Sequence, residues 1–525
     1  MAADGETQPL LLNAAAASAP SEPVAAVTRK NLVDFDPQGD PEDPMNWPVA
    51  YKWSIVSLLA CMNFTVTFTC IAVVPIAGHI VRDLDGGQAS NSASVLLVTI
   101  WELGEAAGPF VMAPASEVLG RAPVLNAANA CFVGAVVLAA LARSSALLIA
   151  ARFLTGLAVA SNVLNPAIIG DLFPPARRGS PMSLVSVAPL LGGAVGPAIS
   201  GALAEWRGWR SVLWLAALLA VACAVLLFTC LRETYKVPIL RRRAARLRQE
   251  TGNAALTTAF EMDGADAATG RSALWDSALR PMVVFASSGV LQTMSLFGSV
   301  LYTVFYIFST SLPGILQENY HLTPAQIGAS FVSFSIGSLM SVVACNGLLD
   351  RAYARLSTRN KGVGQPEFRL PFVLVGGLLL PLGLALYGWI AQERVHVGLL
   401  LLSVGFMGSM LMFGILPLMT YVVDAFGLYS ASAMTVLIVT RCLASTFLPL
   451  ATAPLTESLG YGWGFTVQAA VVLALVPIPI LVLRYGASLH TVAQWLNGAM
   501  RRATYQKEID PVAETSDIPG DGRGK

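Results

Sequence analysis

From Trp53 to Leu483 one pattern recurs: apolar segments of about 20 residues, separated by short polar turns. A helix rises about 1.5 Å per residue, so each segment is long enough to cross a hydrocarbon layer of about 30 Å. The segments fall near 53–77, 93–114, 123–142, 146–170, 181–204 and 209–231, then 282–309, 325–348, 370–390, 396–419, 430–454 and 463–483. This pattern predicts an all-α membrane protein with twelve transmembrane helices in two six-helix halves. Only 12% of the residues are charged, about half of what a water-facing domain needs to cover its surface. A soluble fold is therefore excluded.

Residues 1–52 mix Ala, Pro, Ser and acids and are expected to be a disordered cytoplasmic tail. A polar linker at 232–281 divides the N-terminal half, 53–231, from the C-terminal half, 282–484, and a polar tail occupies 485–525. The linker's basic run RRRAARLR, 241–248, reads as a solvated loop that sets orientation, or as a helix against the anionic inner leaflet. With both termini in the cytoplasm, the cytoplasmic segments hold 26 of the 33 Lys and Arg residues and the external loops 5. An odd number of crossings, or the opposite orientation, would destroy that asymmetry.

The seven cysteines all lie in apolar runs, and the four histidines have no cysteine or acidic neighbours at ligand spacing. No metal site or cofactor is expected, nor an enzyme activity, nor a nucleic-acid partner. The expected partners are a small-molecule substrate, protons and the lipid bilayer, with the protein acting as a monomer.

Several stretches, in order, resemble one family. APASEVLGRAPVL, 113–125, joins the second and third spans, DPEDPMNWPVAYKW, 40–53, precedes the first, and ARFLTGLAVASNVLNPAIIGDLF, 151–173, fills the fourth. PLLGGAVGPAISGALAEWRGWRSVLWL, 189–215, crosses the fifth and sixth; LLDRAYARL, 348–356, PEFRLP, 366–371, and YVVDAFGLYSASA, 421–433, follow. Together they are similar to the fungal drug:proton antiporter branch of the major facilitator superfamily.

That resemblance implies two pseudo-symmetric halves around a central cavity opened alternately to each side. It makes Glu117, Gly120 and Arg121 a cytoplasmic gating motif, with Asp350 and Arg351 as its second-half copy. Ala122 stands where the family commonly has a second basic residue. The span-5 stretch with Gly192, Gly193, Gly196, Pro197 and Gly201 resembles the motif of exporters, whose small residues let the helix approach the second half. The implied activity is proton-coupled export of a hydrophobic or amphipathic secondary metabolite, toxin or drug, in the plasma membrane. Uptake or facilitated release of a polar metabolite or organic acid is the alternative transport reading, and a non-transporting membrane sensor the alternative class.

Four ionisable residues are forced into the apolar layer. Glu102 and Glu105 share one face of the second span, Arg152 lies in the fourth and Arg441 in the eleventh. Each costs at least ~2.5 kcal/mol at a helix centre, so they must face the cavity or one another. Glu105 or Glu102 is expected to carry the coupling proton, with Arg152, at the family's proton-transfer position, tuning it; the alternative is that the glutamates only tie helices together. Arg441 is read as structural or as a charge partner for substrate. Asn63, Trp101, Asn162, Asn165, Gln292, Tyr306 and Tyr421 are the polar or aromatic candidates for the cavity wall.

Overall fold

In hydrocarbon no water serves the backbone, so each apolar segment must satisfy its own N–H and C=O groups, which a helix does within one segment. The computed structural model describes residues 32–36, 39–87, 91–174, 177–258, 271–359, 365–426 and 430–484, and it is almost wholly helical. Among the described residues, ten continuous stretches are long and apolar enough to cross a membrane. One of them, Ser430–Arg484, contains two crossings, and the short helices Ser145–Leu157 and Ser161–Leu172 together make one more. The total is twelve.

Span 1 is Val49–Ile71 continued, after a 3-10 turn at Val74–Ile76, by Ala77–Leu84. Spans 2 and 3 are Asn91–Leu119 and Arg121–Ala140; span 4 is the broken pair just named. Spans 5 and 6 are Gly179–Arg207 and Trp209–Cys230. Spans 7 to 10 are Gly289–Tyr320, Pro324–Arg359, Leu370–Gln392 and Val397–Phe426. Span 11 begins with Ser430–Phe447, and the helix Thr452–Leu475 turns at Gly460 (φ 76°) into span 12.

Three expectations change. Span 7 starts at Gly289 rather than 282, because Ser288 caps it by accepting from Leu291 N; the preceding helix Arg271–Ser287 packs against spans 2 and 11. The basic run, read as a loop or a leaflet-bound helix, is a helix within Lys236–Thr251 that meets the protein's own acids. The tail expected to be disordered through residue 52 is ordered where described from Gly39 onward, with a 3-10 turn at Pro44–Asn46. Residues 1–31 and 485–525 lie outside the described residues.

One cause explains the last two changes. Lys236, Leu240, Arg243 and Ala244 share a face of the linker helix, and that face meets the acids at 40, 42 and 43. Asp40 is bonded to Arg243, Glu42 lies 3.2 Å from Arg246, and Asp43 lies 3.9 Å from Lys236. Leu32–Val33 adds a short parallel pairing with Thr257–Thr258 beyond the helix.

The halves meet along two related seams, span 2 against span 11 and span 5 against span 8. A Cβ at Gly201 would collide with the carbonyl of Pro324, and one at Gly328 with the carbonyl of Pro197. At the other seam Thr99 and Thr446 each donate to the other's carbonyl, at 3.0 and 3.3 Å. Beyond these contacts Glu205 accepts from Ala325 N at 3.2 Å and Glu457 from Asn91 Nδ2 at 2.8 Å. These bonds tie together the ends remote from the linker, here called the distal side. The span-5 glycines divide in two: Gly192, Gly193 and Gly196 lie against Phe64, Ile71 and Phe68 of span 1, and Pro197 and Gly201 form the seam with the other half.

A charged cavity between the halves

A cavity of 510 Å³ lies between the halves, on the linker side of the distal seam. Span 2 supplies its charge. Glu102 and Glu105, three residues apart, both face the second half but reach different helices. Tyr306 of span 7 donates its hydroxyl to Glu102 Oε1 at 2.6 Å. Arg441 of span 11 lies with Nη2 3.4 Å from Glu105 Oε1, and its guanidinium rests 4.3 Å over the Tyr302 ring. Trp101 Nε1 donates to Glu105 Oε2 at 3.2 Å. The two carboxylates therefore link the halves at mid-depth through two separate contacts. Glu102 and Glu105 are only 2% and 8% exposed.

Arg152 of span 4 is engaged with backbone carbonyls. It donates to the carbonyls of Thr69 and Cys70, both at 2.7 Å, and of Leu97 at 3.3 Å. Thr69 and Cys70 are in the last turn of span 1's first helix, where carbonyls are left without intrahelical donors and the helix dipole is negative. Arg152 thus caps the break in span 1 from span 4. The cation in contact with Glu105 is Arg441. Arg152 lies 4.9 Å over the ring of Trp101, the same side chain that donates to Glu105.

Of the other candidates, Asn63, Trp101 and Tyr306 line the cavity. Asn165 is buried and donates to Asn63 Oδ1 at 3.0 Å, which fixes that amide beside the wall. Gln292 does not line it: it is exposed near the start of span 7 and donates to Phe285 O at 2.9 Å. Tyr421 is fully buried in the second half, away from the lining. The Asn162 and Asp350 side chains lie outside the described residues. Unforeseen in the sequence were Tyr302, Phe305 and Phe334, whose rings form one wall with Tyr306. Their signal was aromatic residues at 302, 305 and 306 on one face of span 7.

The turn expected to gate, at Glu117, Gly120 and Arg121, is held by span 4 and by the first residues of the linker. Gly120 has φ 101°, a conformation open to glycine, and a Cβ there would collide with Glu233. That carboxylate accepts from Arg121 N at 2.9 Å and Ala122 N at 3.3 Å, capping span 3. Arg121 Nε stands 3.7 Å from Asp171 at the end of span 4. Glu117 and Arg351 are exposed. Glu233, just past span 6, is the carboxylate that meets the turn, and it was not among the residues singled out in the sequence.

Two six-helix halves, a charged cavity between them and a seam closing one end define a multi-pass membrane transporter. The chain belongs to the Major Facilitator Superfamily, whose family model matches residues 55–449. It is 33% identical over 478 residues to the efflux pump radE of Floropilus chiversii, covering 91% of this chain and 88% of that one. It is 30% identical to the MFS transporter cpaT of Aspergillus oryzae, covering 86% and 90%, and 30% identical to the MFS-type transporter penM of Penicillium rubens, covering 88% and 90%. Among solved structures the D-xylose-proton symporter shares the fold, with a TM-score of 0.62 at 14% identity over 82% of this chain and 97% of that one. The protein is thus a transporter of the fungal efflux branch rather than an enzyme.

Proposed function

We propose that the protein exports a hydrophobic or amphipathic small molecule, such as a secondary metabolite, toxin or drug, across the plasma membrane in exchange for protons. It works as a monomer, with the linker and both termini in the cytoplasm. The observation that carries the reading is the Glu105–Arg441 contact, an ion pair that spans the two halves at mid-depth. A protonated, neutral Glu105 gives Arg441 no charge to hold, so proton uptake loosens spans 2 and 11 at the point where they meet. Remaking the tie expels the proton. Since the distal seam is closed here, that expulsion is toward the linker side, the direction that inward proton movement requires.

Arg152 contributes by fixing Trp101, and hence the Glu105 carboxylate, against the break in span 1. Its engagement with three carbonyls also weakens the organic-acid reading, in which it would meet a substrate carboxylate. The kinship with a named efflux pump supports the outward direction.

The test uses proteoliposomes loaded with a pH-sensitive dye and challenged with amphipathic compounds under an imposed pH gradient. The wild type is expected to move protons on addition of a transported compound, and Glu105→Gln to lose that proton signal while still exchanging compound across the membrane. Full proton coupling in Glu105→Gln would refute the assignment.

A further inference from the structure

The two carboxylates of span 2 are not equivalent. Glu105 has both oxygens engaged, one by Arg441 and one by Trp101. Glu102 has one: Tyr306 fixes Oε1, and Oε2 is buried with no nitrogen or oxygen donor among the described residues. The Cys442 thiol beside that carboxylate is only a weak donor. A buried carboxylate oxygen without a donor is among the costlier defects a structure can keep, so its retention calls for a donor that arrives from elsewhere. Glu102 is part of the cavity lining, and the wall beside it is aromatic and thioether-rich: Tyr302, Phe305, Phe331, Phe334, Met412 and Met434. Phe305 and Phe334 lie 5.1 Å apart by ring centroids, so the wall is continuous. Such a surface receives a flat, polarisable body, and methionine side chains adapt to its outline.

We propose that Glu102 is the group that recognises the transported molecule, and that this molecule is an aromatic or fused-ring compound bearing an N–H or O–H donor that binds Glu102 Oε2. The assignment rests on the export reading for its context, and it separates the two acids: Glu105 exchanges the proton and Glu102 selects the cargo. Tyr306 acts as a positioning residue, since its bond to Oε1 holds the second oxygen in place.

The test is equilibrium binding to the purified full-length protein without any gradient, using two pairs of probes that differ only in the donor. Rhodamine 123 carries N–H donors and tetramethylrhodamine methyl ester has them methylated; 7-hydroxy-4-methylcoumarin and its 7-methoxy ether repeat the comparison without charge. The wild type is expected to bind the donor-bearing member of at least one pair roughly tenfold or more tightly, the usual worth of a hydrogen bond to a charged group. Glu102→Gln, whose amide turns N–H groups toward the ligand once Tyr306 holds the oxygen, is expected to bring that ratio near one. Tyr306→Phe is expected to lower the ratio partially. Preference in the rhodamine pair alone identifies a cationic donor as the recognised group, and preference in the coumarin pair alone a neutral one.

Equal binding within both pairs, no binding of any probe, or an unchanged ratio in Glu102→Gln overturns the proposal. Loss of gradient-driven transport with the donor preference intact would instead sink the export reading and leave Glu102 as assigned.

Discussion

Glu105 and Arg441 illustrate why a buried ion pair is judged by what happens when half of it is removed. Together they neutralise one another in a low-dielectric cavity; apart, each leaves a charge with no counter-charge in contact. Arg441→Gln is therefore expected to lower the melting temperature of the detergent-purified protein by several degrees, and Glu105→Gln by a similar amount. The double variant is expected to recover most of the loss. Breaking a fully buried pair costs ~3–5 kcal/mol, and the partial exposure of these side chains, 15% and 11%, places the effect toward or below the lower end. Strictly additive losses in the double variant would show that the two do not act as a pair. All four intramembrane charges were legible in the sequence, because an ion in an apolar run stands out against its cost. Their partners were not, since Tyr306 and Arg441 lie 204 and 336 residues from the acids they meet. Gln292 was misread for the same reason: polarity within a span says that a partner is needed, not which face supplies it.

At the level of elements, the tail and linker form a clasp that composition alone conceals. KVPILRRRAARLRQET is too polar to signal a packed helix, and the acids that order it belong to a segment about 200 residues earlier. Burial pushes the Asp40 carboxyl up, but the bond from Arg243 and the N–H groups of Glu42 and Asp36 outweigh it and hold the group below its ordinary value. A depressed carboxyl stabilises the clasp above the unfolded value of 3.8 and loses that contribution as pH falls through the folded one. The clasp is accordingly insensitive to pH in the neutral range. Arg243→Ala is expected to weaken it by about 1 kcal/mol, read as roughly fivefold faster amide hydrogen exchange across residues 39–48, with high salt producing part of the same effect in the wild type. Unchanged exchange would mean that the β pairing at Leu32–Val33 and the packing of Leu240 suffice without the ion pairs.

For the whole molecule, the six-plus-six division followed from the linker and the spacing of apolar segments, whereas the state of the gate did not, because the same residues must serve both open and closed forms. The span 5–span 8 seam is where backbone meets backbone, at Gly201 against Pro324 and Gly328 against Pro197. No rotamer change can relieve a side chain placed there, so the helices must separate. Gly201→Val is thus expected to favour the form in which the distal side is open, by steric exclusion of the closed one. The readout is a cysteine pair, Asn91→Cys with Glu457→Cys, at the other seam, where the native side chains lie 2.8 Å apart. In the Gly201→Val background a short cross-linker is expected to join this pair with at least a fewfold lower yield, and transport is expected to fall by about tenfold or more while the protein still purifies as a folded species. Gly134→Val on span 3, where a Cβ meets nothing within 4 Å, is expected to change neither quantity. If Gly201→Val lowers transport but leaves the cross-link yield intact, the seams close independently. Alternating access would then require a movement other than the joint rocking of two rigid halves.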